Sequence, residues 1–174
     1  MFLFRVLCGA LIVLGGGCAS GYCSVRACLP PEEIARVLDA HNRLRCEVGA
    51  GPLAWSAELA DFAEAWALRL AADGGEIRHR PREGKWAQRH GENLFAGTVG
   101  HFSPAQAVEI WAEERSRYRG EAISWSNYPA FGHYTQIVWR GTARVGCGAA
   151  EGGGMLIVVC NYDPQGNIVG ERPY

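Results

Sequence analysis

The sequence predicts an α+β layer fold, and three observations carry that prediction. Helical periodicity fills the first half, in two stretches that each open on a start signal and close on glycine. A third helix opens on a complete capping box at Ser103-Pro104-Ala105-Gln106. Strand-like runs gather at the C-terminal end around Gly152-Gly153-Gly154. Helices first and strands last belong to layered α+β folds rather than to alternating β-α units.

Each element has its own grounds. Pro31 suits the first turn of a helix, where its missing N–H is not needed, and Glu32 and Glu33 suit the positive end of the helix dipole. Ile34, Val37, Leu38, His41, Leu44 and Val48 then share one face, until Gly49, Gly51 and Pro52 stop the helix. Ser56 caps a second helix that runs to about Ala72. Its buried stripe is Leu59, Phe62, Ala63, Trp66 and Leu70, and Asp73, Gly74 and Gly75 end it. Residues 76–102 are basic and weakly periodic, and read as a long loop with room for one short helix; so long a loop in a compact domain is usually functional. The third helix runs to about Tyr118, and residues 119–131 read as another loop. Tyr134–Trp139, Arg144–Ala149 and Met155–Tyr162 read as strands, the last two joined as a hairpin by the triple glycine.

The chain has 174 residues, 17 basic and 18 acidic, with a formal net charge of −1. That length suits one domain. Six Trp and 20% charged residues exclude a disordered chain. Near neutrality gives no support to nucleic-acid binding, which needs a basic excess. Residues 1–19 follow the order of a secretory signal peptide: a charged start to Arg5, an apolar run from Val6 to Leu14, then Gly15, Gly16 and Gly17. Cys18 behind a small residue is also compatible with a lipoprotein signal, whereas cleavage after Ala19 would leave a free exported form. The expected contact with a membrane is therefore through a signal or a lipid anchor only. Residues 20–31 read as a linker and 32–174 as the folded domain. Seven Cys fit an oxidising compartment, and the absence of any C-x-x-C pair removes the usual zinc-ribbon and thioredoxin readings.

Four stretches stand out: His41-Asn42-Arg43-Leu44-Arg45, Gly91-Glu92-Asn93-Leu94, Gly132-His133-Tyr134-Thr135-Gln136-Ile137-Val138-Trp139, and Cys160-Asn161-Tyr162-Asp163-Pro164-Gln165-Gly166-Asn167. In this order they resemble the signatures of the CAP superfamily: the cysteine-rich secretory, antigen 5 and pathogenesis-related 1 proteins. The resemblance spans roughly residues 34–170. It implies an α-β-α sandwich around a central antiparallel sheet, and a cleft lined by two His and two Glu. By motif, His133 matches one His and Glu92 one Glu. The other Glu of the family follows a Trp by three residues, which here gives Glu114 after Trp111.

Helical spacing favours the same Glu independently. Glu114 lies four after Ile110 and four before Tyr118, on the apolar face, while Glu113 shares a solvated face with Glu109 and Arg117. The remaining His precedes a Ser in the family. His79 holds that position but is followed by Arg80-Pro81, and His90 is its rival. The resemblance also implies a bridge between Cys147 and Cys160, which lie six residues before and after Gly153-Gly154; two free buried thiols are the alternative. The pairing of Cys23, Cys28 and Cys46 stays open, with a bridge from Cys46 to Cys28 limited by the length of the first helix.

Two imidazoles and two carboxylates suit a divalent metal, zinc first, with His79, Glu92, Glu114 and His133 as ligands. The alternative is a hydrogen-bonded structural cluster. If the cleft were catalytic, Glu92, Glu114 and His133 would carry a metal-assisted hydrolysis. No Gly-x-Ser-x-Gly elbow supports a nucleophile, Ser124 and Ser126 read as turn formers, and Thr135 reads as a neighbour of His133 on one strand face. The expected function is an exported, monomeric binding module for an apolar ligand such as a sterol or fatty acid, or for a protein partner. Trp86, Trp111, Trp125 and Tyr128 are the candidate groove aromatics. A metal-assisted hydrolase and a structural protein of the envelope are the alternatives. His41, Asn42, Asn93 and His101 read as structural.

Overall fold

The computed structural model describes residues 29–174. The signal, the lipidation candidate Cys18, Cys8, Cys23 and Cys28, and the linker up to residue 28, lie outside the described residues. Helix α1 spans Pro31–Glu47 and α2 spans Ala57–Ala72; between them lies a two-residue strand, β1, Ala54–Trp55. Strand β2 is Gly91–Thr98, and α3 is Pro104–Ala112, followed by a single 3-10 turn at Glu113–Ser116. Helix α4 spans Tyr128–Ile137, and β3 (Arg144–Gly152) and β4 (Met155–Asp163) close the fold as a hairpin. Among the described residues no helix is long and apolar enough to cross a membrane.

The start signals act as the sequence implies. The Ser56 hydroxyl accepts from Leu59 N, and at α3 both arms of the Ser103–Gln106 capping box are made. The sheet order is β1-β3-β4-β2, and α2 covers one face while α1, α3 and α4 cover the other. On the α2 side, Ala63, Trp66, Ala67 and Leu70 pack against Leu94, Ala150, Ile157 and Val159. On the far side, Val37, Leu44, Val108, Trp111 and Ile137 pack against Val145, Val158 and Tyr162. This is the α-β-α sandwich.

Helix α2 lies directly on the backbone of β3. A Cβ at Gly146 would stand 2.2 Å from Ala60 N, and one at Gly148 would stand 2.4 Å from Glu64 Cα. Only glycine permits that approach. The intervening Cys147 points to the opposite core, where it is bridged to Cys160, its register partner on β4.

Five expectations need correction. The run Tyr134–Trp139 is not a strand: most of it is the second half of α4. Phe131, Gly132, Tyr134, Thr135, Gln136 and Ile137 are all buried, so no solvent face marks a period of 3.6, and the β-branched and aromatic content points the wrong way. The long loop 76–102 contains β2, whose Gly91, Glu92, Asn93 and Leu94 are all buried and show no alternation. The loop 119–131 ends early, because α4 begins at Tyr128 with Pro129 in its first turn. The third helix loosens to a 3-10 turn after Ala112 instead of running unbroken to Tyr118. The sheet is mixed rather than antiparallel, since β1 pairs parallel to β3 through Ala54–Arg144 and Trp55–Val145. Among the described residues Cys46 has no disulfide partner.

Candidate functional site

The His133 pair arises from a break in a helix. Helix α4 is kinked at Phe131 (φ −151°, ψ 18°), so the segment after it starts a fresh helical turn with unsatisfied N–H groups. The Glu114 carboxylate supplies the acceptor: its Oε2 takes His133 N–H at 2.9 Å and Tyr134 N–H at 3.2 Å. A carboxylate at a helix N-terminus is also favoured by the dipole. Its Oε1 takes the His133 ring at Nδ1, 2.7 Å away. Trp111 stacks on the same imidazole at 5.9 Å and 17°, and its own indole N–H is anchored on Leu94 O of β2. Glu114 is thus held by the 3-10 turn that replaces the end of α3.

The His79 pair is built on β2. Glu92 is fully buried, and its Oε1 accepts from Arg80 N at 3.0 Å and from His79 Nδ1 at 2.9 Å. Its Oε2 lies 3.4 Å from Arg80 Nε and has no hydrogen-bond partner. Arg80, which stands where the family has Ser, is therefore the buried counter-ion of Glu92. Its guanidinium lies 3.8 Å from the Phe62 ring centroid and 5.1 Å from that of Trp66. A buried arginine needs both kinds of partner, anion and aromatic face. Sequence reasoning missed this role. The signal was an Arg-Pro in place of a Ser, beside a Glu destined for burial. His90 is not in the pair: it packs edge-on against Phe62 and lies 3.7 Å from Asp163.

Both pairs belong to one region. Burial first, then the negative charges of Glu114 and Glu92, push the Tyr128 phenol above its ordinary range, so this one ring senses both carboxylates. Asn93, next to Glu92 on β2, donates to His133 O at 3.1 Å. A cavity of about 390 Å³ opens beside Glu92, with Tyr128, Gln136, Asn167, Arg82 and Trp125 among its walls. Of the candidate groove aromatics, Trp125 and Tyr128 line it. Trp111 is buried behind His133, and Trp86 packs on Trp66 under α2.

The donor set can be judged on this geometry. Each ring uses Nδ1 on a carboxylate and keeps Nε2 for a ligand. Each carboxylate spends oxygen lone pairs on a ring and on backbone N–H groups. Among the described residues no three or more His, Cys, Asp or Glu are gathered as metal ligands. Glu92 and Glu114 hold the two rings through Nδ1, the orienting role that carboxylates play at histidine metal sites.

The remaining candidates sit in supporting roles. Ser124 Oγ accepts from Asn127 N and contacts Ser126 Oγ, so both serines serve the turn before α4. Thr135 is helical and so does not share a face with His133; its hydroxyl meets Phe131 O and Asn167 Oδ1. His41 is buried between Val37 O and the Tyr162 hydroxyl. Asn42 exchanges two hydrogen bonds with the Leu53 backbone, and His101 meets Val99 O in its loop.

The chain's relatives agree with this architecture. Residues 38–162 match the family described as CAP, the cysteine-rich secretory protein family. Over 138 residues the chain is 40% identical to pathogenesis-related protein 1C of Nicotiana tabacum, covering 79% of this chain and 78% of that protein. It is 41% identical over 138 residues to pathogenesis-related leaf protein 4 of Solanum lycopersicum, covering 79% and 80%. The crystal structure of NaASP2 with Zn2+ superposes with a TM-score of 0.72 at 24% identity, over 83% of this chain and 86% of that one, a likeness of fold.

Proposed function

The chain belongs to the CAP family, and from that premise we propose that it is an exported, defence-type binding protein whose two His–Glu pairs hold one divalent cation, zinc first. The observation that supports this most is the pairing of each imidazole Nδ1 with a carboxylate, which fixes ring and tautomer and leaves Nε2 of His79 and of His133 as the donors. The two rings are also the exposed members of their pairs, at 47% and 36%, above carboxylates exposed by 0% and 16%. NaASP2, which shares the fold, was crystallised with Zn2+. A bound zinc would supply a Lewis-acidic centre with positions open to ligand or water. Glu92 and Glu114 would keep the rings oriented, and Arg80 would hold Glu92 in place.

Binding without turnover is the better reading, because the two carboxylates that a metal-assisted hydrolysis would use as bases are engaged in the fold: Glu92 by Arg80 N and His79, and Glu114 by His133 and Tyr134 N. The apolar ligand belongs to a different place. A cavity of about 510 Å³ between the start of α1, the start of α3 and the β3–β4 hairpin is walled by Leu29, Phe102, Pro104, Ala149 and Leu156, with Glu33, Ser103 and Glu151 as its polar walls, and its size suits a sterol or fatty acid.

Metal content of the purified protein, with zinc calorimetry on apo-protein, tests the proposal. One zinc per chain is expected in the wild type and in His90→Ala. Affinity is expected to fall at least about 100-fold in His79→Ala and in His133→Ala, and about 10- to 100-fold in Glu114→Gln, which removes the orienting carboxylate. Zinc retained in the His79 and His133 variants would refute it.

A further inference from the structure

Trp125 is 77% exposed, yet it is not on a loose segment. Ser124 N donates to Asn127 Oδ1 at 2.8 Å, Asn127 Nδ2 donates to Ala122 O at 2.9 Å, and Tyr128 N donates to Ser124 O at 3.0 Å. Two further bonds, Ile123 N to Glu171 O and Gly170 N to Ile123 O, stitch this loop to the C-terminal segment. An indole held out in water on a pinned backbone is a preorganised surface, so a partner would lose little entropy in docking on it.

That indole stands on the rim of the 390 Å³ cavity beside Glu92, whose volume lies in the small-ligand range. The other exposed walls are Arg82, Gln88 and Gln165, which carry planar, forked polar groups, and Val169. Deeper in, Gln136 is 2% exposed and is braced by Gly166 N on its Oε1. Glu92 also lines the cavity, its side chain fully buried and its Oε2 3.4 Å from the Arg80 guanidinium.

We propose that this cavity is a carbohydrate site that takes a pyranose ring of a neutral glycan, with Trp125 as the platform. The chemistry matches part by part. The C–H face of a pyranose is apolar and flat enough to lie on an indole. Vicinal hydroxyls are paired donors and acceptors, which amides and a guanidinium engage two at a time. A lipid would leave these polar walls unsatisfied, and an anion would face the Glu92 carboxylate in the wall. The inference goes beyond the metal reading and does not depend on it, since neither imidazole is needed for the stacking.

The test is calorimetry on the purified full chain with laminarihexaose, cellohexaose and chitohexaose, beside hexagalacturonate as an anionic control. At least one neutral hexasaccharide is expected to bind with Kd of about 1 mM or tighter. Binding should weaken at least about tenfold in Trp125→Ala and also in Gln165→Ala, both exposed positions that leave the melting temperature unchanged. It should persist in His133→Ala whether or not that variant holds zinc, which separates this result from the fate of the metal proposal. No binding of any neutral probe, binding indifferent to Trp125→Ala, or binding of hexagalacturonate alone with release by salt would each overturn it.

Discussion

At the scale of the residue, the four signature stretches do more than mark a family. Arg45 closes the first of them and is 1% exposed. Its guanidinium donates to Gly51 O, Ile137 O, Trp139 O and Thr142 O, at 2.5 to 2.9 Å. The last three are carbonyls left open at the end of α4 and in the turn beyond it, so one side chain caps a helix far away in sequence. Arg45→Met should therefore cost far more than its lost volume: each orphaned buried acceptor costs about 1–3 kcal/mol, and a total of about 3 kcal/mol or more is expected in urea unfolding. A loss below about 1 kcal/mol would mean that water reaches those carbonyls. Arg43, two residues earlier, forms only exposed ion pairs with Glu47 and Glu109, and its replacement by Ala should fall within about 1 kcal/mol. The motif holds one structural arginine and one surface arginine, and only burial tells them apart.

At the scale of the element, the hairpin is the piece whose stability can be addressed alone. Cys147 and Cys160 sit opposite each other in register, both buried, and close a loop with a sequence separation of 13. A cross-link of that span contributes about 3 kcal/mol in the chain-entropy account. The Cys147→Ala/Cys160→Ala double variant should lose about that much unfolding free energy, read as a lower denaturation midpoint, with the slope reporting any change in the unfolded state. An unchanged midpoint would show that the ladder and the α2 contact already hold the strands. The same comparison of elements shows what the sequence carried. Helices α1, α2 and α3 were legible because each has a capped or proline-marked start and one wet face. The hairpin was legible through its triple glycine. Strand β2 and helix α4 were not, because both are buried from two sides and lose the period that betrays an element. The site straddles this divide. Glu92 and His133 were named from motifs, while the elements that carry them were misread. Glu114 followed from the family's Trp-to-Glu spacing with helical periodicity in support, although the turn that holds it is 3-10. Arg80 was missed: Arg-Pro in place of Ser marked the position, but nothing local says that a basic loop residue will turn inward onto an aromatic pair.

At the scale of the whole molecule, one histidine ties the layers together and makes the fold sensitive to acid. His41 on α1 is wholly buried and meets the Tyr162 hydroxyl of β4 at 2.9 Å, and Asn93 of β2 donates to that same hydroxyl at 3.2 Å. Burial lowers the His41 pKa to about 4, with the Arg45 charge pushing the same way, against the Val37 carbonyl and the Glu109 charge. Burial likewise pushes the Tyr162 phenol far up, so it serves as a neutral partner. The native state therefore keeps this imidazole neutral, while the unfolded chain protonates it below about 6.5. Protons are bound preferentially by the unfolded state between those two values, so stability is complete above about pH 6.5 and falls as the pH drops towards 4. The loss attributable to His41 should reach about 2–3 kcal/mol at pH 4.5. Urea unfolding at pH 7.0 and at pH 4.5 measures it, and His41→Gln is the comparison that isolates it. The variant starts from a lower stability at pH 7.0, because a buried ring is lost, but its decline between the two pH values should be smaller than that of the wild type by that amount. Equal declines would assign the acid sensitivity to other groups and leave His41 a packing residue only.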